Sequence, residues 1–170
     1  MDQHEIAAKN KEIALAIWGS GLGRRAPAGS PEAREHFDKY YTQDYWNHAS
    51  APGKDRGWEN AVFVGSAFKE LFTQPRFTIE LVAAEGDLVF LHGEFTAIHS
   101  GGTLYGIPAT GIPVSQPQVH ILRFRDFKIS DHYVVRDDYV MYRQVAPEPT
   151  LEGGIMRNVD TDKYEVPDNE

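Results

Sequence analysis

The chain of 170 residues has single-domain length, and its composition, 41% hydrophobic and 25% charged, is that of a globular protein and excludes disorder throughout. A net charge of −8 argues against nucleic acid or an anionic membrane as partner, since both call for clustered Lys and Arg. Without cysteine, disulfides, thiolate nucleophiles and thiolate metal sites are all impossible.

The opening segment, MDQHEIAAKNKEIALAIW, is charged and lacks an apolar signal core, and no apolar run approaches about 18 residues. A cytoplasmic location is expected. Apolar residues recur at helical spacing from Ile6 to Trp18, up to the breaker GSGLG, which predicts a first helix. A second starts at SPEAREHFDKYY, with Ser30 as N-cap, Pro31 at the first helical position and Glu32 in the first turn. After the polar stretch WNHASAPGKDRG, the segment GWENAVFVGSAFKELF carries a third helical pattern that ends before Pro75.

The period then changes. FTIELVAAEGDLVFLHGEFTAIHSG reads as two strands around an AEGD turn, and PQVHILRFRDFKISDHYVVRDDYVMYRQV as two more joined across Arg125 to Lys128. Helices first and antiparallel strands afterwards predict an α+β fold, a curved antiparallel sheet packed on the helices as a cone with an internal pocket. Residues 1–146 form one domain. Residues 147–170 lack periodicity, and the last twenty of them, 151–170, carry a net charge of −4, an acidic C-terminal extension.

Alternation along the strands collects ionisable groups on particular faces. His92 shares a face with Glu94, His120 with Gln118 and Leu122, and Asp131 with Tyr133, Val135 and Asp137. Because His changes charge near neutral pH and a nearby carboxylate orients it, His120 with Asp131 and His92 with Glu94 are candidate pairs. A single strand His or acid is more often a satisfied structural group. His4, His36 and His99 are read that way, and Asp137 and Asp138 as a solvated strand end.

The stretch VSQPQVHILRFRDFKISDHY, residues 114–133, resembles the signature of the SnoaL-like polyketide cyclases, in outline V-S-x-P-x-I-D-I-x-R-x-x-D-G-K-I-x-E-H-W. Upstream, LYGIPATGIPVS, VAAEGDLVFLHGEF and DYWNHAS resemble the family's GIP-x-TG, VAEGDxV and Y-x-x-H-N-P segments, so that the likeness spans roughly Phe37 to Val145. It implies a nuclear-transport-factor-2-like cone and an enzyme that needs neither metal nor organic cofactor. A carboxylate in the cone would act as acid/base in an intramolecular aldol condensation.

On this resemblance Asp131 stands at the acid of E-H-W and is expected to be the base, turned to the pocket. His48 stands at the His of Y-x-x-H-N-P. His120 or His48 would stabilise the oxyanion, while Trp46, His92, Glu94 and Tyr133 would bind an apolar polyketide- or terpenoid-like substrate. His132 would then face outward. The epoxide-hydrolase R-x-D pair is replaced by His92 and Glu94, which disfavours epoxide hydrolysis. Ala49, Ser50, Phe127 and Tyr133 depart from the pattern. Isomerisation and dehydration need the same groups and stay open, as does a non-catalytic ligand-binding module. A homodimer formed through the open sheet face is expected.

Overall fold

The computed structural model describes residues 1–19 and 26–146; the C-terminal extension and most of GSGLG lie outside them. Helices α1 (Gln3–Gly19) and α2 (Pro31–Tyr40) lead into strand β1 (Tyr41–Asn47), followed by α3 (Gly57–Leu71). Strands β2 (Phe72–Glu85) and β3 (Leu88–His99) form a hairpin, then come the two-residue strands β4 (Thr103–Leu104) and β5 (Ile107–Pro108). The long strands β6 (Pro113–Arg125) and β7 (Lys128–Arg136) complete the sheet, and α4 (Asp138–Val145) follows. The main sheet runs β1-β7-β6-β3-β2.

The predicted α+β class holds, with two differences. The sheet is mixed, because β1 pairs parallel to β7. The sequence assigns Tyr41 to the second helical segment and Trp46 and Asn47 to the polar stretch, and no strand between them: β1 follows α2 without a break, and Gln43 and Asp44 dilute the strand-forming Tyr41, Thr42, Tyr45 and Trp46. The supposed strand end at Asp137 is the N-cap of α4, accepting a hydrogen bond from the Val140 N–H at 3.0 Å.

One sheet face is covered by the helices. Val89, Leu91, Phe95 and Ala97 of β3 and Leu122 and Phe124 of β6 pack there with Ala14, Ile17 and Trp18 of α1 and with Met141 and Val145 of α4. Asn10 ties α1 to the hairpin turn by donating to the Gly86 carbonyl at 3.2 Å. β2 carries extra residues at two points, between Thr73 and Arg76 and between Ile79 and Leu81. Such bulges bend a sheet, and the first accommodates Pro75. At the tight part of this bend only glycine fits at position 93, where a Cβ would stand 2.1 Å from the Thr78 carbonyl oxygen.

The bulge that decides the site lies in β7. Phe124 pairs with Ile129, but Arg123 pairs with Asp131, which leaves Ser130 as an additional residue. One extra residue transfers every later side chain to the opposite face. Ile129 is buried in the core beside Phe124, and the next side chain on that face is His132, not Asp131. The Ser130 hydroxyl fastens the bulge through the Arg123 carbonyl at 3.3 Å and the Asp131 carboxylate at 2.8 Å.

Candidate active site

The two faces of β7 carry two separate polar clusters. On the helix-covered face, the cross-strand pairs Leu122 with His132, His120 with Val134 and Gln118 with Arg136 bring His120 and His132 together. His132 Nε2 lies 2.8 Å from His120 Nδ1, and the rings are 17° from parallel. Trp18 of α1 packs obliquely against both rings at 5.7 and 5.8 Å, and Phe77 of β2 stands edge-on to His120 at 4.8 Å. Both histidines are only partly buried despite the helices on this face.

Polar contacts extend from this pair in both directions. The Tyr45 hydroxyl lies 3.3 Å from His132 Nδ1, and Tyr45 is held in an aromatic wall with Phe37 and Tyr41. On the other side His120 Nε2 meets Gln118 Oε1 at 3.0 Å, and Gln118 Nε2 donates to Gln116 Oε1 at 2.7 Å. Both glutamines are buried, so these bonds satisfy amides that would otherwise be costly to enclose.

The outer face holds Trp46, His48, Asp131 and Tyr133. The His48 ring is sandwiched between Trp46 at 3.8 Å and Tyr133 at 3.9 Å, with the Arg56 guanidinium 3.7 Å above the far side of Trp46. His48 Nε2 meets Asp131 Oδ1 at 3.0 Å. The His48 backbone N–H donates to the His132 carbonyl at 2.9 Å, extending the β1–β7 ladder. A buried Asn47–Asn60 bond of 3.2 Å and a 3.0 Å bond from Trp46 Nε1 to Asp55 hold the following loop. Both ring faces and Nε2 of His48 are thus occupied, as suits a strand-joining role.

Burial pushes the Asp131 carboxyl upward, but the hydrogen bonds from His48 and Ser130, with the charges of His48 and Arg123, outweigh it. Asp131 therefore titrates below the ordinary carboxylate range.

The predicted residues consequently separate. His120 faces the covered side as expected, whereas Asp131 and Tyr133 point away from it and His132 points in, a correction caused by the bulge at Ser130. The pair His120 with Asp131 does not form. His92 and Glu94 also lie on the outer face, opposite Val119 and Pro117, and the acid beside His92 Nδ1 is Glu80 at 3.2 Å rather than Glu94. His92 borders an open depression of about 360 Å³ together with Pro117, Val119 and Val135. With His48 and His92 outside and His120 inside, these three histidines do not converge on one point. Tyr45, Trp18, Gln116, Gln118 and His132 had not been read as site residues. A strand-forming Tyr immediately before Trp-Asn was the available signal for Tyr45.

Comparison with known proteins agrees with this architecture. The sequence model of the SnoaL-like polyketide cyclase family matches residues 28–145. The chain is 47% identical over 53 residues to the aklanonic acid methyl ester cyclase DnrD of Streptomyces peucetius, a match spanning 31% of this chain and 37% of that protein. Among solved structures, TsrD from Streptomyces laurentii superposes with a TM-score of 0.64 at 20% identity, covering 86% of this chain and 98% of TsrD. A protein assigned to the SnoaL-like polyketide cyclases from Jannaschia sp. CCS1 does so with a TM-score of 0.69 at 20% identity, covering 88% and 99%. The chain belongs to the SnoaL-like polyketide cyclase family.

Proposed function

We propose that the chain closes a ring in a polyketide-like substrate by an intramolecular aldol step, with His132 as the general base on the helix-covered face. The observation that carries this reading is the 2.8 Å His132–His120 contact, with Tyr45 beside it, on the face from which Asp131 is turned away. Ring closure is also the activity named for DnrD, which shares the 53-residue match.

The contacts define the roles. His132 Nδ1 faces the Tyr45 hydroxyl across the longest hydrogen bond of the cluster, 3.3 Å, the contact a substrate displaces most readily. Nδ1 takes a proton from a carbon flanked by carbonyls, and the resulting imidazolium donates through Nε2 to His120 Nδ1, a charge-assisted bond that spreads the charge. Tyr45, released from Nδ1, donates its O–H to the enolate oxygen. The enolate carbon then attacks a ketone carbon of the same molecule. A C–C bond forms, the C=O π bond opens to an alkoxide, and the alkoxide recovers the proton from His132. The product is an isomer of the substrate. Trp18 and Phe77 supply aromatic surface for flat rings.

Incubating the purified protein with aklanonic acid methyl ester and a panel of poly-β-ketoesters tests the reading. It predicts a product of altered retention and unchanged mass, absent with His132→Ala. No conversion of any member of the panel, or conversion that persists in His132→Ala, contradicts it.

A further inference from the structure

We infer that the outer face of the sheet is a two-fold interface between two copies of this chain, with β3 on the axis and β2 of each copy against β6 of the other. The strand register of that face carries the inference, which is independent of the reaction proposed for the helix-covered side.

Three successive outward rows cross the sheet from β2 to β7. They are Glu85, Leu88, Arg123 and Asp131; then Ala83, Phe90, Ile121 and Tyr133; then Leu81, His92, Val119 and Val135. The middle row is apolar throughout. None of the apolar side chains in these rows belongs to the core beneath the helices, and Leu81 and Val135 are 67% and 65% exposed. A continuous apolar face of this kind marks a contact surface.

The partner is identified by the way one column of the face complements another. A second copy turned about an axis along β3 lays its β2 over β6 of the first, with the rows in step. Glu85 then stands opposite Arg123, Ala83 opposite Ile121 and Leu81 opposite Val119. A carboxylate meets a guanidinium, a small side chain meets a large one, and a projecting one meets a recess. The recess is the depression of about 360 Å³ bordered by His92, Pro117, Val119 and Val135, which has room for a leucine side chain. Arg123 stays half-exposed although Asp87 holds it at 3.0 Å, so its guanidinium can take a second carboxylate. Leu88, Phe90 and His92 meet their own counterparts on the axis, and Glu94 lies beyond the bend at Gly93, outside these rows.

The other alignments of the same face set charges badly. An axis between β3 and β6 brings Glu85 against Asp131, and one along β6 brings Arg123 against Arg123. An axis across the strands sets Glu85 on Leu81 and Arg123 on Val119, burying charge against apolar groups.

The chain has no cysteine, so introduced thiols report on this geometry alone. Leu81 and Val119 of one chain are two strand spacings apart, about 10 Å, too far for an internal disulfide but adjacent across the interface. Wild type is expected to sediment at twice the chain mass. Leu81→Cys combined with Val119→Cys in one chain should oxidise to a covalent dimer, whereas neither single variant does. Glu85→Arg sets two guanidinium groups together and should weaken association about tenfold or more, and adding Arg123→Glu should restore it. Circular dichroism verifies that each variant is folded. A wild type that stays monomeric overturns the inference and leaves the face to another kind of partner. Cross-linking by Leu81→Cys alone, no covalent dimer from the double variant, or no recovery in the charge swap overturns it as well.

Discussion

His132 Nε2 and His120 Nδ1 meet at 2.8 Å on the helix-covered face, although the two residues lie on neighbouring strands and His132 directly follows an outward-facing acid. The bulge at Ser130 produces this meeting, and the Tyr45 hydroxyl completes it. Tyr45→Phe removes the only hydroxyl set against His132 Nδ1 by the described contacts and keeps the aromatic wall with Phe37 and Tyr41. Loss of an oxyanion donor is expected to lower kcat on the order of 10²-fold with little change in unfolding midpoint. Steady-state kinetics beside urea denaturation separates the two.

Deleting Ser130 removes the extra residue of β7 and makes Ile129 and Asp131 neighbours in regular alternation, so Asp131 and Tyr133 stay outward and His132 stays on the face of Ile129. The faces are kept and only the local kink is lost, so the deletion should still fold cooperatively, whereas a deletion in a regular strand would turn Asp131 into the apolar core and abolish folding. Ser130→Ala keeps the register and loses only the two hydroxyl contacts, a cost of about 1–2 kcal/mol. Comparing the two by circular dichroism melting checks the assignment of the bulge.

This one residue also shows how far the sequence could be read. Helix periodicity and the Ser30 cap located α1 to α3, because those signals are local. Period-2 alternation correctly grouped Asp131 with Tyr133 and Val135. It could not say which group faced in, because Ser130 carries no Gly or Pro mark and the bulge appears only in its pairing with Arg123 and Phe124. Asp137, with Met141 and Val145 spaced at i, i+4 after it, was a legible helix start passed over in favour of a strand end. The contacts that run from Gln116 through Gln118 and His120 to His132 join β6 to β7, and no local pattern announces them.

Asp131 supports stability rather than chemistry in this account. Its carboxyl titrates below the ordinary value in the folded chain, so the unfolded chain binds more protons between the two values. Its contribution is complete above the unfolded pKa, near 3.9, and fades as pH falls through the folded one. Wild type should therefore exceed Asp131→Asn in unfolding free energy at neutral pH, with the gap closing below about pH 4. A gap that widens toward acid would exclude this linkage.

Gly93 tests the bend of the sheet. A methyl group there meets a backbone oxygen that no rotamer change can move. Gly93→Ala should cost roughly 3 kcal/mol, visible as a lowered thermal midpoint, whereas Ala at the exposed Leu81 should cost well under 1 kcal/mol.

The most direct measurement of the central claim sets His132→Ala against Asp131→Asn in the same cyclisation assay, with both variants confirmed as folded. The account predicts that His132→Ala loses on the order of 10²–10⁴ in kcat and that Asp131→Asn stays within about fivefold of wild type. The opposite ranking, with Asp131→Asn inactive and His132→Ala near wild type, would contradict it.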